Sequence, residues 1–281
     1  MPTQVTVNPG LITINDGPSF LVTASDSSLD DNQAQGFFVR DTQLISYYEV
    51  SLNRYRLVIL ASSNLNHHTA LYQFTNPQLR TVNSNLTSGC LLVTIRGDIV
   101  GGMHEDIEIG NYHSEPIEFQ LVLAIRSDFA DIFEVRAKNI VTRGNTETVW
   151  KDGVLTTKYR SSSFVRGIVV ERVCSTSEAS YANSRLMFNV VITPGETWYT
   201  CINFTALTNG DVLKPQQNCA VLHTTDAGKV RDELLSNATK LRSSNAEIKG
   251  FYQQALVDMG ALRIQIEDNG HQFWMPEAAI P

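Results

Sequence analysis

The chain has 281 residues, 42% of them hydrophobic and 18% charged, with a formal net charge of -7. That length can bury a sizeable core, and the balance is that of a soluble globular protein. The acidic charge excludes a nucleic-acid binder, which needs a basic face against phosphates, and says nothing against sugars, which are uncharged. The N-terminal MPTQVTVNPGLITIN has no basic stretch before an apolar run, and no segment is apolar over a membrane's width. Neither a signal peptide nor a membrane partner is expected, and the expected location is the cytoplasm. Cys90, Cys174, Cys201 and Cys219 form no Cys-x-x-Cys pair, so reduced thiols are expected rather than a zinc or redox motif.

Short β-like runs open the chain at Val5–Val7, Leu11–Ile14 and Phe20–Thr23, broken by Pro9-Gly10 and Asp16-Gly17-Pro18. A polar loop covers 24–35. From Leu44 to Leu52 the residues alternate apolar and polar, which predicts a strand; Asn53-Arg54 turns, and Tyr55–Ala61 returns as its hairpin partner. His67–Phe74 is a further strand, closed by Asn76-Pro77. Leu91–Val100 and Met103–Ile109 flank Gly101-Gly102, a hairpin signal. Ile117–Arg126 is the cleanest alternation in the chain. Asp152-Gly153 turns between two more strands. Phe164–Val173, Arg185–Ile192 and Glu196–Leu207 complete the β part. Roughly a dozen or more strands exceed the seven or so of an immunoglobulin-like sandwich, so a larger two-sheet antiparallel sandwich is expected over 1–222.

At about Thr224 the period changes. Asp226 can cap a helix bearing Val230, Leu234, Ala238 and Leu241 on one face. Ser244-Asn245-Ala246-Glu247 reads as a capping box before a second helix over 246–266. Its wide apolar stripe includes Phe251, Tyr252, Leu256, Met259 and Leu262, and Asp268-Asn269-Gly270 would stop it.

The carboxylates invite a glycosidase reading, since glycoside hydrolysis uses two of them across the bond. Asp128, Asp131 and Glu134 qualify by type, yet Ser127 or Asp128 would equally cap a single helical turn that buries Phe129 and Phe133. Asp131 and Arg136 would then sit near each other or near Arg40. Arg40-Asp41 is either a loop-fixing ion pair or part of a domain interface or sugar edge. Trp150, beside a turn, is the tryptophan best placed to stack on a pyranose, whereas Trp198 is expected in the core. His104-Glu105-Asp106 lacks the second histidine of a helical zinc site, so no metal ligand and no cofactor is assigned.

Four segments carry a family resemblance: GFFVRDTQLISYYEVSLN from Gly36, Thr75-Asn76-Pro77, RSDFADIFEVR over 126–136, and FYQQALVDMGALR over 251–263. In order, they resemble the N-terminal domain of bacterial glycogen-debranching-type enzymes, the amylo-alpha-1,6-glucosidase-like glycosidases. The resemblance implies a mainly β fold, a large antiparallel two-sheet super-sandwich followed by a C-terminal α-helical segment. It also implies a partner domain, a barrel of paired helices carrying the acid and base, whose entry MPEAAIP resembles. Residues 223–281 would be the linker and the start of that barrel, and no catalytic residue falls within the chain. Arg40, Asp41, Asp128, Asp131, Arg136 and Trp150 are then candidates for contact with α-glucan or with the barrel. The helical stripe over 246–266 would pair with a second copy if the barrel is absent. Two other readings stand beside this one: a mutarotase-like sugar epimerase using His104, Glu105 and His113, and a stand-alone carbohydrate-binding or scaffold protein.

Overall fold

The computed structural model describes residues 10–30, 34–80, 85–216, 219, 236–268 and 271–276. Strands β1 (Leu11–Asp16), β2 (Ser19–Ala24), β3 (Gly36–Val39) and β4 (Thr42–Ile45) form a four-stranded antiparallel meander. The chain then passes through β5 (Tyr47–Leu52), β6 (Tyr55–Arg56), β7 (Val58–Asn64), β8 (Thr69–Thr75) and a ribbon of β9 (Leu79–Arg80) and β10 (Asn85–Leu86). Long strands follow: β11 (Leu91–Val100), β12 (Gly102–Asn111) and β13 (Ile117–Arg126), then the short helix α1 (Ile132–Ala137). The remainder is β14 (Thr146–Lys151), β15 (Val154–Arg160), β16 (Val165–Ser175), β17 (Ala179–Ala182), β18 (Arg185–Ile192), β19 (Thr197–Thr208) and β20 (Asp211–Leu213). After them come α2 (Ala246–Ala261) and a hairpin of β21 (Arg263–Asp268) and β22 (His271–Pro276).

Two sheets dominate. One has the order β17-β18-β13-β5-β6; the other is nine-stranded, in the order β14-β15-β16-β19-β12-β11-β8-β7 with β20 on β19. Their apolar faces share one hydrophobic cluster, into which the alternating residues of β5 (Val50, Leu52), β13 (Leu121, Leu123), β12 (Ile107, Ile109) and β19 (Ile202, Phe204) all point. Aromatic contacts cross between the sheets: Tyr48 meets Phe204 edge-on at 6.1 Å, and Phe188 meets Trp198 at 5.5 Å. Among the described residues no helix of several turns interrupts 36–210, as the glycine turns and alternation predict.

The meander has a second apolar cluster of its own. Phe20, Val22 and Phe38 pack with Ala130, Ile132 and Val135 of α1 and its approach, and Phe20 stacks on Phe38 at 4.7 Å. Phe37 and Phe38, adjacent in β3, therefore fill opposite cores, Phe37 the main one.

Several expectations are corrected. Leu44–Leu52 is not one strand: Ser46, buried and held through its amide to Arg126 O at 2.9 Å, breaks it into β4 and β5, which belong to different sheets. The second helix stops at Ala261 rather than Ile266, because Arg263-Ile264-Gln265-Ile266 alternates and pairs with β22. Asn-Gly, between the two strands in sequence, is the pair that two-residue hairpins favour. Phe133 is 72% exposed; Ile132 and Val135 take the buried positions of α1. Cys201 and Cys219 form a disulfide, while Cys90 and Cys174 are free thiols. The expected run at Val5–Val7, most of the helix from Asp226 and the domain boundary at 222 lie outside the described residues.

The chain after β19 makes a close passage. β20 pairs with the end of β19 in the lane that β12 occupies further along. Pro215 then bridges Gly101, and Gln216 N donates to Val100 O at 3.1 Å. A side chain on Gly102 would meet Phe204 O at 2.6 Å and Leu213 O at 2.8 Å; one on Gly101, at φ +76°, would meet Lys214 O at 2.5 Å. Both glycines are required by this crossing as well as by the hairpin turn.

Candidate functional site

The segments carrying Arg40-Asp41 and Asp128–Arg136 form one corner. Arg40 and Asp41 are the two central residues of the β3–β4 turn, with φ of 46° and 62°. Asp41 O accepts from Ile132 N at 2.9 Å, Gln43 N donates to Ala130 O at 2.9 Å, and Thr42 bridges Asp131. Arg40 pairs with Asp211 at 2.6 Å rather than with Asp41. Arg166 Nε donates to Thr42 Oγ1 at 3.2 Å, and burial together with the Arg40 charge lowers the pKa of its guanidinium.

The carboxylates of this corner are engaged locally. Asp128 Oδ1 accepts from Ala130 N at 3.0 Å, and burial pushes its pKa up despite that bond. Asp131, not Ser127 or Asp128, is the N-cap of α1; it accepts from Phe133 N at 2.8 Å, and Glu134 completes the capping box. Glu134 also holds Arg143 at 2.7 Å. Arg136 lies exposed in the last turn of α1, and no ion pair joins it to Asp131 among the described residues. Trp150 on β14 is half-buried, stacked on Tyr181 with ring centroids 5.7 Å apart.

A second polar group lies on the outer face of the nine-stranded sheet, where β11, β12 and β19 run side by side. Cross-strand register sets Asp98 beside His104 and Asn203, and Arg96 beside Asp106 and Cys201. His104, almost wholly buried, donates from Nδ1 to Asn203 Oδ1 at 2.8 Å. Its Nε2 faces Asp106 Oδ1 at 3.2 Å and Cys201 Sγ at 3.6 Å. Tyr199 donates to Asp106. Burial lowers the pKa of His104, but the hydrogen bonds of Asp106 and Asn203 outweigh it, and the net shift is upward. Asp98 is buried too, yet His68, Thr69 and Arg96 bind it and hold its pKa below the ordinary carboxylate value. His104, Asp106 and Cys201 lie together, and the sulfur of Cys201 is held in its disulfide with Cys219. Reading along one strand missed this group, because its third member comes from β19; the period-two spacing of His104 and Asp106 was the visible half.

Glu105 points the other way, into the core. The Tyr48 hydroxyl donates to it from the opposite sheet, and burial pushes its carboxyl up to about 7. His104 and Glu105 therefore work on opposite faces of β12, and His113 sits in a turn where its Nδ1 accepts from Glu115 N at 3.2 Å. The three do not form the epimerase constellation.

Over residues 14–203, more than half of the chain, the sequence matches a family described as the N-terminal domain of some glycogen debranching enzymes. No curated protein matches it. Among solved structures, a candidate kojibiose phosphorylase from the human microbiome is similar at 9% identity and TM-score 0.49, covering 89% of this chain and 39% of that one. A galactose mutarotase related enzyme from Lactobacillus acidophilus is similar at 7% identity and TM-score 0.42, covering 73% of this chain and 100% of that one. A heparan sulfate lyase from Pedobacter heparinus is similar at 9% identity and TM-score 0.36, covering 73% of this chain and 41% of that one. The chain spans about two fifths of the length of the first of these.

Proposed function

Because the chain belongs to the family of N-terminal domains of glycogen debranching enzymes, we propose that it is the non-catalytic β-sandwich of a debranching-type α-glucan glycosidase. The family match over 14–203 is the observation that carries this reading. In it, the two large sheets form a two-sheet super-sandwich over about residues 1–222, and 223–281 leads into a helical-barrel domain that supplies the acid and base. The work takes place in the cytoplasm, where the Cys201–Cys219 bond would meet reductants. The locally engaged state of Asp128 and Asp131 supports a structural role for both, since each carboxylate already caps backbone amides.

The corner of Arg40, Asp41, Asp128, Asp131 and Arg136 is the surface we assign to the barrel. Two of the resemblance-bearing segments meet there, and it displays Phe133 and Arg136 outward. Trp150 and Tyr181 form the aromatic pair we assign to weak α-glucan contact. The exposed stripe of α2 would be covered by the barrel or, failing that, by a second copy.

A reducing-sugar assay on limit dextrin with the pure chain tests the non-catalytic reading. No turnover is expected. Turnover lost in Asp128→Asn or Asp131→Asn would overturn it.

A further inference from the structure

We propose that the outer face of the nine-stranded sheet carries a second surface for a neutral glucan chain, laid across β8, β11, β12 and β19, with Glu108 as its central acceptor and Tyr112 as its stacking ring. The choice of a glucan rests on the reading above; the face and its polar chemistry stand without it.

Register builds the row. Gln73 opposes Thr94, Thr94 opposes Glu108, and Glu108 opposes Tyr199, so side chains from adjacent strands line up on one face. Their neighbours along each strand, Phe74, Val93, Ile107 and Trp198, point the other way into the core. At about 4.8 Å between strands the row is about 14 Å long, the reach of a short oligosaccharide rather than of a monosaccharide.

The row also keeps its hydrogen-bonding capacity. Gln73, Thr94 and Glu108 have no side-chain partner among the described residues. Asp106 and Arg96, further along the same face, are by contrast engaged by Tyr199 and Asp98. A carboxylate accepts from two hydroxyls at once, and an amide and a hydroxyl each donate and accept, which matches the hydroxyls of a sugar. Glu108 is exposed, and the row contains no cation. A sulfated or carboxylated chain would be repelled there, whereas an uncharged polyol is not.

Tyr112 supplies the apolar part. Strand alternation puts it on the face of Glu108 and Gly110. A Cβ on Gly110 would meet Tyr112 Cε2 at 3.1 Å and its Cζ and Oη at 3.7 Å, so the phenol leans back over the glycine in the direction of Glu108. Even so, the residue is 74% open to solvent. Across the strand, Tyr199 is anchored through its hydroxyl to Asp106. A free carboxylate flanked by an exposed and an anchored tyrosine combines apolar ring surface with placed polar groups, as sugar recognition requires.

The test titrates the full, isotope-labelled chain with maltohexaose, and in parallel with cellohexaose and a sulfated oligosaccharide. Amide signals of Thr94, Glu108, Gly110 and Tyr112 report on this face separately from Trp150. Saturable shifts of these signals are expected with a neutral hexaose and none with the sulfated chain. Tyr112→Ala should weaken that binding about tenfold, as should Glu108→Ala. Tyr55→Ala, which removes an exposed tyrosine on β6, should not. Tyr112 lies beyond the end of β12, so Tyr112→Ala keeps the test valid if a change within the strand prevents folding. No shift with either neutral hexaose, full affinity in Tyr112→Ala, or an equal response to the sulfated chain overturns the proposal. Shifts with cellohexaose alone would keep the surface and instead overturn the α-glucan reading.

Discussion

Glu105 is a carboxyl group set among the apolar residues of two sheets, with the Tyr48 hydroxyl as its hydrogen-bond donor. Burial raises its pKa from an ordinary 4.5 to about 7, so the folded chain holds a proton that the unfolded chain has released. Between those values unfolding gives up that proton, and stability falls as pH rises. Glu105→Gln, which can still accept from Tyr48, should raise stability at pH 8 by about 2–3 kcal/mol and change it little at pH 4. Urea midpoints of both proteins across this range check the difference; parallel curves would disprove it. Asn76 is the reverse case, a buried polar side chain that is fully used. Its Oδ1 accepts from Cys90 N and Leu91 N, and its Nδ2 donates to Pro77 O and Thr87 O. Asn76→Ala should cost about 3 kcal/mol in chemical denaturation, because buried amides lose their acceptor. The Thr75-Asn76-Pro77 triplet was legible as a family feature, but its use as a clamp on residues 14 or 15 further along was not, since those partners are backbone atoms with no sequence signature.

Among the elements, the long strands were the easiest to read. β18 alternates in burial along its length and β13 does so except at Val122, which is buried on the outward register, because one face is in the core and period two survives wherever a sheet has one wet side. The β3–β4 corner was legible only in part. Asp131 and Arg136 were expected near each other or near Arg40, and the backbone bonds of Asp41 and Ala130 do join the two segments. The partner of Arg40 was not readable, because Asp211 lies 171 residues away. Arginine at positive φ costs about 1–2 kcal/mol, while an ion pair this exposed returns about 0–1 kcal/mol. Replacing Arg40-Asp41 by Asn-Gly, the residues such turns favour, should therefore leave the melting temperature unchanged or raise it. A clear fall would mean that the ion pair fixes the loop. Asp131→Ala should cost about 1 kcal/mol through loss of the α1 cap. The end of α2 lies earlier than expected because Ile266, four residues after Leu262, fits the helical stripe and equally fits a strand alternation with Ile264, and a short apolar run does not separate the two.

At the scale of the whole molecule, α2 is unlike the sheets. Phe251 is 74% and Met259 57% exposed, and Ile248 is also open to solvent. A stripe of that kind is worth burying, at about 1.5–3 kcal/mol per large side chain. Sedimentation of the chain over a range of concentrations should show reversible self-association that Phe251→Glu abolishes; a monomer throughout would refute pairing through this face. That the chain is mainly antiparallel β was legible from strand number, whereas the assignment of strands to sheets was not, since β12 finds its neighbour β19 far along the chain. His104 and Asn203, paired in register, are 99 residues apart. Synthesis at about 5–20 residues per second puts about 5–20 s between them. Throughout that interval β12 has completed its hairpin with β11 but has an open edge of unpaired amides and carbonyls on the other side, alternately flanked by the polar row and by Met103, Ile107 and Ile109. A nascent chain in this state is a template for any extended segment nearby. The yield of folded protein should thus depend less on the stability of the finished fold than on how that one edge is guarded until β19 leaves the ribosome.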